Sequence, residues 1–554
     1  MGPKNSSTRQ LHPLDRRDFL KLGISGGTFL AVSPIFGRAG EESSPQIQSP
    51  APPPFDLEEI SIAELSDGMK SGKYTARSIT ESYLSRIQQI DKSGPGLNSI
   101  IELNPDVLSI ADELDAERKQ TGARGPMHGI PVVIKDNIDT ADKMSTTAGS
   151  LALVGSKPPS DSFLVQQLRR AGAVILGKTN LSEWANIRSS HSTSGWSGRG
   201  GLTKNPYALN RNTSGSSSGS GAAVSANLCA VGVGTETDGS IVSPSSLNGL
   251  VGIKPTVGLV SRTGVIPISH TQDTPGPMAR SVHDAAILLG ALTGVDSEDR
   301  ATIASKGKFS DDYTRFLDPK GLKGARIGVV RFYFGYHEGV DRLMADALTV
   351  LKEQGAILID PVETKTFGQL GNAEDLVLSY ELKADMNKYL SRLGVNSPVH
   401  TLKEIIEYNE KNKSSEMPYF GQDLFIKAEA RGPLTKKEYV DALAKCRKMM
   451  RTDGIDAVMK KYKLDALVAP TDSPAWLTDL VDGDHFLGGS STAAAVAGYP
   501  SITVPAGMVS GLPVGMSFFG KAWSEPMLIK LAYSFEQATK HRKVPQFLPA
   551  TDMG

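Results

Sequence analysis

Serine and glycine are concentrated between Asn212 and Pro255, in two clusters. These read Gly215-Ser216-Ser217-Ser218-Gly219-Ser220 and Gly234-Thr235-Glu236-Thr237-Asp238-Gly239-Ser240. Glycine permits positive φ and close backbone approach, and successive N–H groups in such turns form anion-binding nests. A hydroxyl beside a nest supplies what acyl transfer needs, a nucleophile next to donors for a developing oxyanion. A flexible Gly/Ser linker is the plain alternative, but the apolar sequence on both sides argues for a buried segment. Ser217 sits in a G-x-S-x-G pattern, yet a nucleophile elbow must follow directly on a strand, and Lys204 to Asn212 is polar and holds Pro206. A phosphate-binding loop would need G-x-x-x-x-G-K-[ST], which is absent.

The elements that must position this stretch alternate between helix and strand. Gly221 to Val233, small and apolar, has the length of one short helix and one short strand. Upstream, Thr75 opens a helix with Ile79, Tyr83, Ile87 and Ile90 at helical spacing, followed by a strand over Ser99–Leu103 and a helix over Asp106–Lys119. Gly129 to Asn137 reads as a buried strand ending in Lys135, which on residue type alone is a strand-end lysine reaching for water. A helix capped by Ser162 leads to the strand Ala173–Leu176, after which Lys178 follows a glycine turn and is taken as structural. Downstream come a helix (Asp284–Leu292), a strand (Ala325–Val330), a helix (Val340–Gln354) and a strand (Ala356–Ile359). Residues from about 365 to 462 are helical and charged, a covering layer. Leu464–Pro470, Ser501–Val504 and Pro513–Phe519 are core strands, and Glu525–Lys540 is a closing helix. The alternation argues for an α/β core.

Lys+Arg and Asp+Glu are both 60, so the net charge is zero and the basic footprint of a nucleic-acid binder is missing. Past the N-terminus no run of eighteen apolar residues suggests a membrane span. Nine histidines show no metal-ligand spacing, and no cofactor motif is found, so neither metal nor cofactor is expected. Cys229 and Cys446 read as buried thiols, and a Ser-x-x-Lys match at Ser305–Lys308 lies in a polar, exposed loop without a K-T-G partner and reads as chance. Residues 1–40 resemble a twin-arginine export signal, with Arg16-Arg17 before Phe19-Leu20-Lys21 and a weakly apolar stretch. Residues 41–55 form a Pro-rich linker. A periplasmic or secreted location is the corresponding expectation.

Taken together, six stretches carry a resemblance to the amidase signature family over essentially Asp56 to Pro549. They are Gly129–Asn137, Ala171–Trp184, the two Ser/Gly clusters, Gly252-Ile253-Lys254-Pro255-Thr256 and Gly511-Leu512-Pro513-Val514-Gly515. The resemblance implies one large α/β/α domain over residues 56–549, with a mixed, twisted central sheet covered by helices. It also implies a Ser–cis-Ser–Lys triad: Ser240 as nucleophile, Ser216 as the cis-configured relay and Lys135 as base. Backbone N–H groups of Thr237, Asp238, Gly239 and Ser240 would then form the oxyanion hole. A lysine serves as base only when neutral, and burial lowers its pKa. Many members carry an arginine just after the nucleophile to read a carboxylate; Val242 and Ser243 stand here, which disfavours glutamine. The run from Thr235 to Val242, with Gly195–Gly201 upstream, is similar to bacterial peptide amidases, which release ammonia from terminal amides. The substrate expected is therefore a peptide amide, with small aliphatic or aryl amides or esters as the alternative. Weaker readings are a non-catalytic periplasmic binding protein and a tRNA amidotransferase subunit. Oligomeric state is left open, with a monomer favoured.

Overall fold

Seven strands of the main sheet, Pro131–Lys135, Val174–Thr179, Val231–Glu236, Val251–Lys254, Thr274–Ala279, Ala466–Pro470 and Leu512–Phe519, are buried along their whole length, which requires cover on both faces of the sheet they build. The computed structural model describes residues 54–395 and 397–551. Its strands are β1 (Ile100–Leu103), β2 (Pro131–Lys135), β3 (Val174–Thr179), β4 (Trp196–Ser197), β5 (Gly201–Leu202), β6 (Val231–Glu236) and β7 (Val251–Lys254). Then follow β8 (Thr274–Ala279), β9 (Arg326–Val329), β10 (Ile357–Ile359), β11 (Ala466–Pro470), β12 (Ser501–Val509) and β13 (Leu512–Phe519). Eleven of them form one sheet in the order β1-β3-β2-β6-β8-β7-β12-β13-β11-β9-β10, while β4 and β5 pair separately. The sheet is mixed, as expected: β2 runs parallel to β3 and β6, and β8 runs antiparallel to β6 with Thr274 opposite Glu236. The C-terminal ends of β2 and β6 and the start of β8 therefore open on one edge of the sheet.

Local chemistry explains the elements. The helix Ala76–Arg86 starts with a Thr75/Ser78 capping box, and Phe163–Arg170 and Val282–Leu292 start at Ser162 and Ser281, whose hydroxyls accept a first-turn N–H. The central stretch folds into the helix Ser218–Ser225 and then β6. Its small residues are required by close approach: a Cβ at Gly219 would lie 2.3 Å from the Ser99 carbonyl oxygen and 2.4 Å from that of Asn180. The layer from 365 to 462 is helical, led by Ala373–Leu390, Leu402–Lys411 and Lys437–Arg447.

Two expectations change, and one strand had no counterpart in the sequence reading. β3 continues through Gly177 and Lys178 instead of turning: its ladder with β2 shifts register between Ile175 and Gly177, and on the β1 side a Cβ at Gly177 would meet the Glu102 carbonyl oxygen at 2.3 Å. β8 is a strand although it holds Pro275 and Pro277; β7 pairs only with Met278 and Ala279, so both prolines lie beyond that ladder. Ser305, placed in an exposed loop by its sequence, is buried, and its hydroxyl donates to the Thr302 carbonyl. The export signal lies outside the described residues. Among those described, no helix is long and apolar enough to cross a membrane, and both cysteines are buried free thiols.

Candidate active site

Lys135 ends β2 and is completely buried, so the reading of a lysine reaching for water is overturned. Paired strands keep opposite residues on one face, and Lys135 lies opposite Thr179, whose hydroxyl meets Ser220 of the helix Ser218–Ser225 at 2.8 Å. That face brings Lys135 Nζ to 2.7 Å from Ser216 Oγ and 3.0 Å from Thr235 Oγ1, donating to both. A longer bond of 3.3 Å runs to the Thr235 carbonyl, and Asn137 Nδ2 also donates to Thr235 Oγ1 at 3.0 Å. Burial brings the Lys135 pKa down to about 7, against the pull of the Asp273 and Glu236 carboxylates.

The Gly215–Ser216 peptide bond is cis, the configuration the resemblance implies. Ser182 donates its N–H to the Ser216 carbonyl at 3.1 Å, and Ser217 donates its N–H to the Ser240 carbonyl at 3.2 Å, so the two Ser/Gly clusters lie side by side. Ser217 is spent on the scaffold: its hydroxyl donates to the Thr235 carbonyl at 3.1 Å and accepts the Thr235 N–H at 3.2 Å. Among the described residues no strand leads directly into it, since β5 ends at Leu202, which removes the nucleophile-elbow reading.

The turn from Thr237 to Ser240 links β6 to the short helix Val242–Leu247. Gly239 takes φ +80°, which an L side chain resists, and a Cβ there would press on Ser491 Oγ at 3.1 Å. Glu236 fixes the turn from below: its Oε2 accepts the N–H groups of Ile241 and Val242 at 2.8 and 3.0 Å. The backbone N–H groups of Asp238, Gly239 and Ser240 have no acceptor among the described residues, so they are available to a bound oxyanion. Thr492 donates to Asp238 Oδ2 at 2.7 Å and Thr237 Oγ1 donates to Asp273 Oδ1 at 2.6 Å. Ser240 itself is almost fully buried at 8% exposure.

Ser243, where an arginine was noted as missing, lies 2.6 Å from Ser214 Oγ and donates to Asp472. Asp472 is a buried carboxyl that burial pushes up to about 7. Lys178 is also completely buried but spent, donating to the Ile138 carbonyl and to Thr146 Oγ1 at 2.9 Å. Sequence reasoning missed Thr235 as a lysine acceptor, and Asp273 and Asp472 as nearby carboxylates. Glu236 and Thr235 were visible in the second cluster; Asp273 and Asp472 carry no local signal. Among the described residues His270, Glu381 and Asp385 bring three possible ligand atoms within 4.8 Å, but hydrogen bonds inside the protein engage each side chain.

The amidase family model matches residues 78–529. The chain belongs to the amidase signature family. The crystal structure of native peptide amidase from Stenotrophomonas maltophilia is 49% identical, superposes with a TM-score of 0.85, and is matched over 89% of this chain and 100% of that one. A probable amidase of Arabidopsis thaliana is 43% identical over 89% of this chain and 93% of its own length. A glutamyl-tRNA(Gln) amidotransferase subunit from Acinetobacter baylyi is 34% identical over 87% of this chain and 97% of its own length. The protein is thus an amide-hydrolysing enzyme of the amidase signature fold, one α/β domain built on a large mixed sheet flanked by helices.

Proposed function

We propose that this amidase hydrolyses the C-terminal carboxamide of peptides, releasing ammonia, through an acyl-enzyme on Ser240. The observation that carries the mechanism is Lys135, fully buried, with a pKa brought to about 7 and its Nζ 2.7 Å from Ser216 Oγ. Above that pH the amine is neutral and can take a proton. Ser240 Oγ bonds to the amide carbon while its proton passes to Ser216 Oγ and the Ser216 proton passes to Lys135 Nζ. The carbonyl electron pair moves to oxygen, which the N–H groups of the Thr237–Ser240 turn stabilise. Collapse breaks the C–N bond, and the nitrogen leaves as ammonia with the proton returned through Ser216. Water then attacks the ester through the same relay, releasing the peptide acid and restoring Ser240.

Two observations support the substrate. Identity to a peptide amidase is 49%, against 34% to a tRNA amidotransferase component. In addition, Ser243 and buried Asp472 stand beside the turn, so a substrate carboxylate there would meet a hydroxyl and an acidic side chain where an arginine would be needed to pair with it. A neutral peptide amide suits this wall; small aliphatic or aryl amides remain the competing substrates. The test is ammonia release from an amidated peptide by wild type and Ser240→Ala, with glutamine and a short aliphatic amide alongside. Turnover of the peptide amide by wild type alone is expected. Turnover of only the small amides would replace the substrate, and turnover by Ser240→Ala would remove the nucleophile.

Export rests on Arg16 and Arg17, and the reading of a periplasmic or secreted, monomeric enzyme is part of the same proposal. Cell fractionation of the full chain beside Arg16→Lys/Arg17→Lys checks it: wild type retained in the cytoplasm would end the export reading. Light scattering on the purified protein checks the monomer.

A further inference from the structure

We infer that Asp273 and Gln272 are positioning residues for this chemistry, clasping the turn at Thr237 and tying it to the covering helix Ala373–Leu390. The inference rests on the roles proposed above for Lys135, Ser216 and Ser240.

The clasp is the loop from Ile268 to Asp273, which runs directly into β8 and so reaches the same sheet edge as β2 and β6. Asp273 Oδ1 accepts the Thr237 hydroxyl at 2.6 Å, while its Oδ2 accepts the N–H groups of Ile268 and Ser269, each at 2.8 Å. Gln272 Nε2 reaches the Thr237 carbonyl at 3.4 Å and Glu374 Oε1 at 3.0 Å. Side chain and backbone of one turn residue are therefore both held from one loop. That loop is in turn anchored outward. Ser269 and Thr271 hydroxyls donate to Glu381 Oε2 at 2.5 and 3.0 Å, and His270 meets Asp385 Oδ2 through its N–H at 2.9 Å and Nδ1 at 2.8 Å. Glu374, Glu381 and Asp385 are spaced to lie along one face of the helix Ala373–Leu390.

The physical need for a clasp comes from Gly239. A glycine at φ +80° gives the turn conformational freedom, and oxyanion donors act only when they are held in place before reaction. The helix from 242 and Glu236 fix the end of the turn; Asp273 and Gln272 fix its beginning. Asp273 has a second effect: burial pushes its carboxyl up to about 6, and above that pH its charge acts on Lys135. The charged groups acting on Lys135 are Asp273 and Glu236. Those near Asp273 are Lys135 and Arg262, itself paired with Asp299, and outside the loop His270 faces Asp385 and Glu381. Removing the Asp273 charge therefore makes Lys135 lose its proton at lower pH.

The experiment compares full-length wild type, Asp273→Asn, Thr237→Val, Gln272→Met and Ser240→Ala on a peptide amide, with kcat, KM, pH profile and melting recorded for each. Asp273→Asn is expected to lower kcat by about 10–100-fold with little change in KM, the cost of a misplaced turn. The acid limb of its kcat/KM profile moves to lower pH. Thr237→Val removes the hydroxyl that Asp273 accepts but keeps the charge, so kcat falls and the limb stays. Gln272→Met loses several-fold in kcat without a pH shift. A purely structural role would move melting alone, so an unmoved limb in folded Asp273→Asn, or wild-type kcat in Thr237→Val, overturns the inference. Wild-type turnover by Ser240→Ala would instead overturn the reading beneath it. Should Asp273→Asn fail to fold, Thr237→Val alone decides.

Discussion

Two buried lysines stand on neighbouring strands of the same sheet and meet different fates. Lys135 lies opposite Thr179 and Lys178 opposite Ile134, so the pleat sends the two side chains to opposite faces. Both are fully buried, and burial lowers the pKa of each. Lys178 is closed in by the Ile138 carbonyl and Thr146 Oγ1, with the Asp136 and Asp139 carboxylates supporting its charge. Lys135 meets two hydroxyls, Ser216 and Thr235, and its carboxylate support comes from Asp273 and Glu236. Burial alone does not make a base. A hydroxyl able to pass a proton onward distinguishes Lys135 from a lysine that only bridges its own strand surroundings.

The contrast can be broken by substitution. Ser240→Ala should reduce ammonia release below detection, since no bond to the acyl group can form. Lys135→Met should lower kcat by about 10²–10⁴-fold, with Ser216→Ala nearly as damaging but leaving a residual rate. The same Lys135→Met should melt no lower than wild type. Its folded pKa of about 7 lies below the ordinary 10.5, so the buried amine costs stability in full below pH 7. That cost fades as pH rises toward the unfolded value, and differential scanning calorimetry at two pH values measures it. Lys178→Met should melt lower than Lys135→Met, because it leaves the Ile138 carbonyl and the Asp136 and Asp139 carboxyls without their partner, a loss set against the burial cost that lowers the Lys178 pKa too. Activity per folded molecule should change little, and a loss matching that of Lys135→Met would end the distinction. In wild type, kcat/KM should rise with pH through an apparent pKa near 7 as Lys135 loses its proton, and a flat profile there would remove the base. Smallest of all, Ser305→Ala should leave turnover unchanged, because that hydroxyl is bonded to its own turn.

How far the sequence could go differs between these same parts. The helix and strand within Gly221–Val233 followed from small apolar residues, and the closing strands from short, mostly apolar stretches. Lys135 could be placed at a strand end, but its dehydration depends on Ser216 and Thr235, which meet it only when β6 pairs with β2. β8 was hidden because its prolines argue against a central strand, and only the short register of β7 makes room for them. Glu236 and Gly239 lay in plain view. Asp273 and Asp472 did not, since each acts on a residue distant in sequence, Thr237 and Ser243 respectively.

The pairing of β2 with β6 also sets when the enzyme comes alive. Lys135 and Thr235 are 100 residues apart, and the cis serine, the turn and the Asp273 loop must all reach one sheet edge before the amine leaves water. Contacts of such separation form only after long loops have closed. Until then Lys135 is solvated, holds its proton at neutral pH, and Ser216 has no base to feed. On the mechanism proposed above, a partly folded chain therefore carries both serines without a working base, and hydrolysis waits until β2 and β6 have paired.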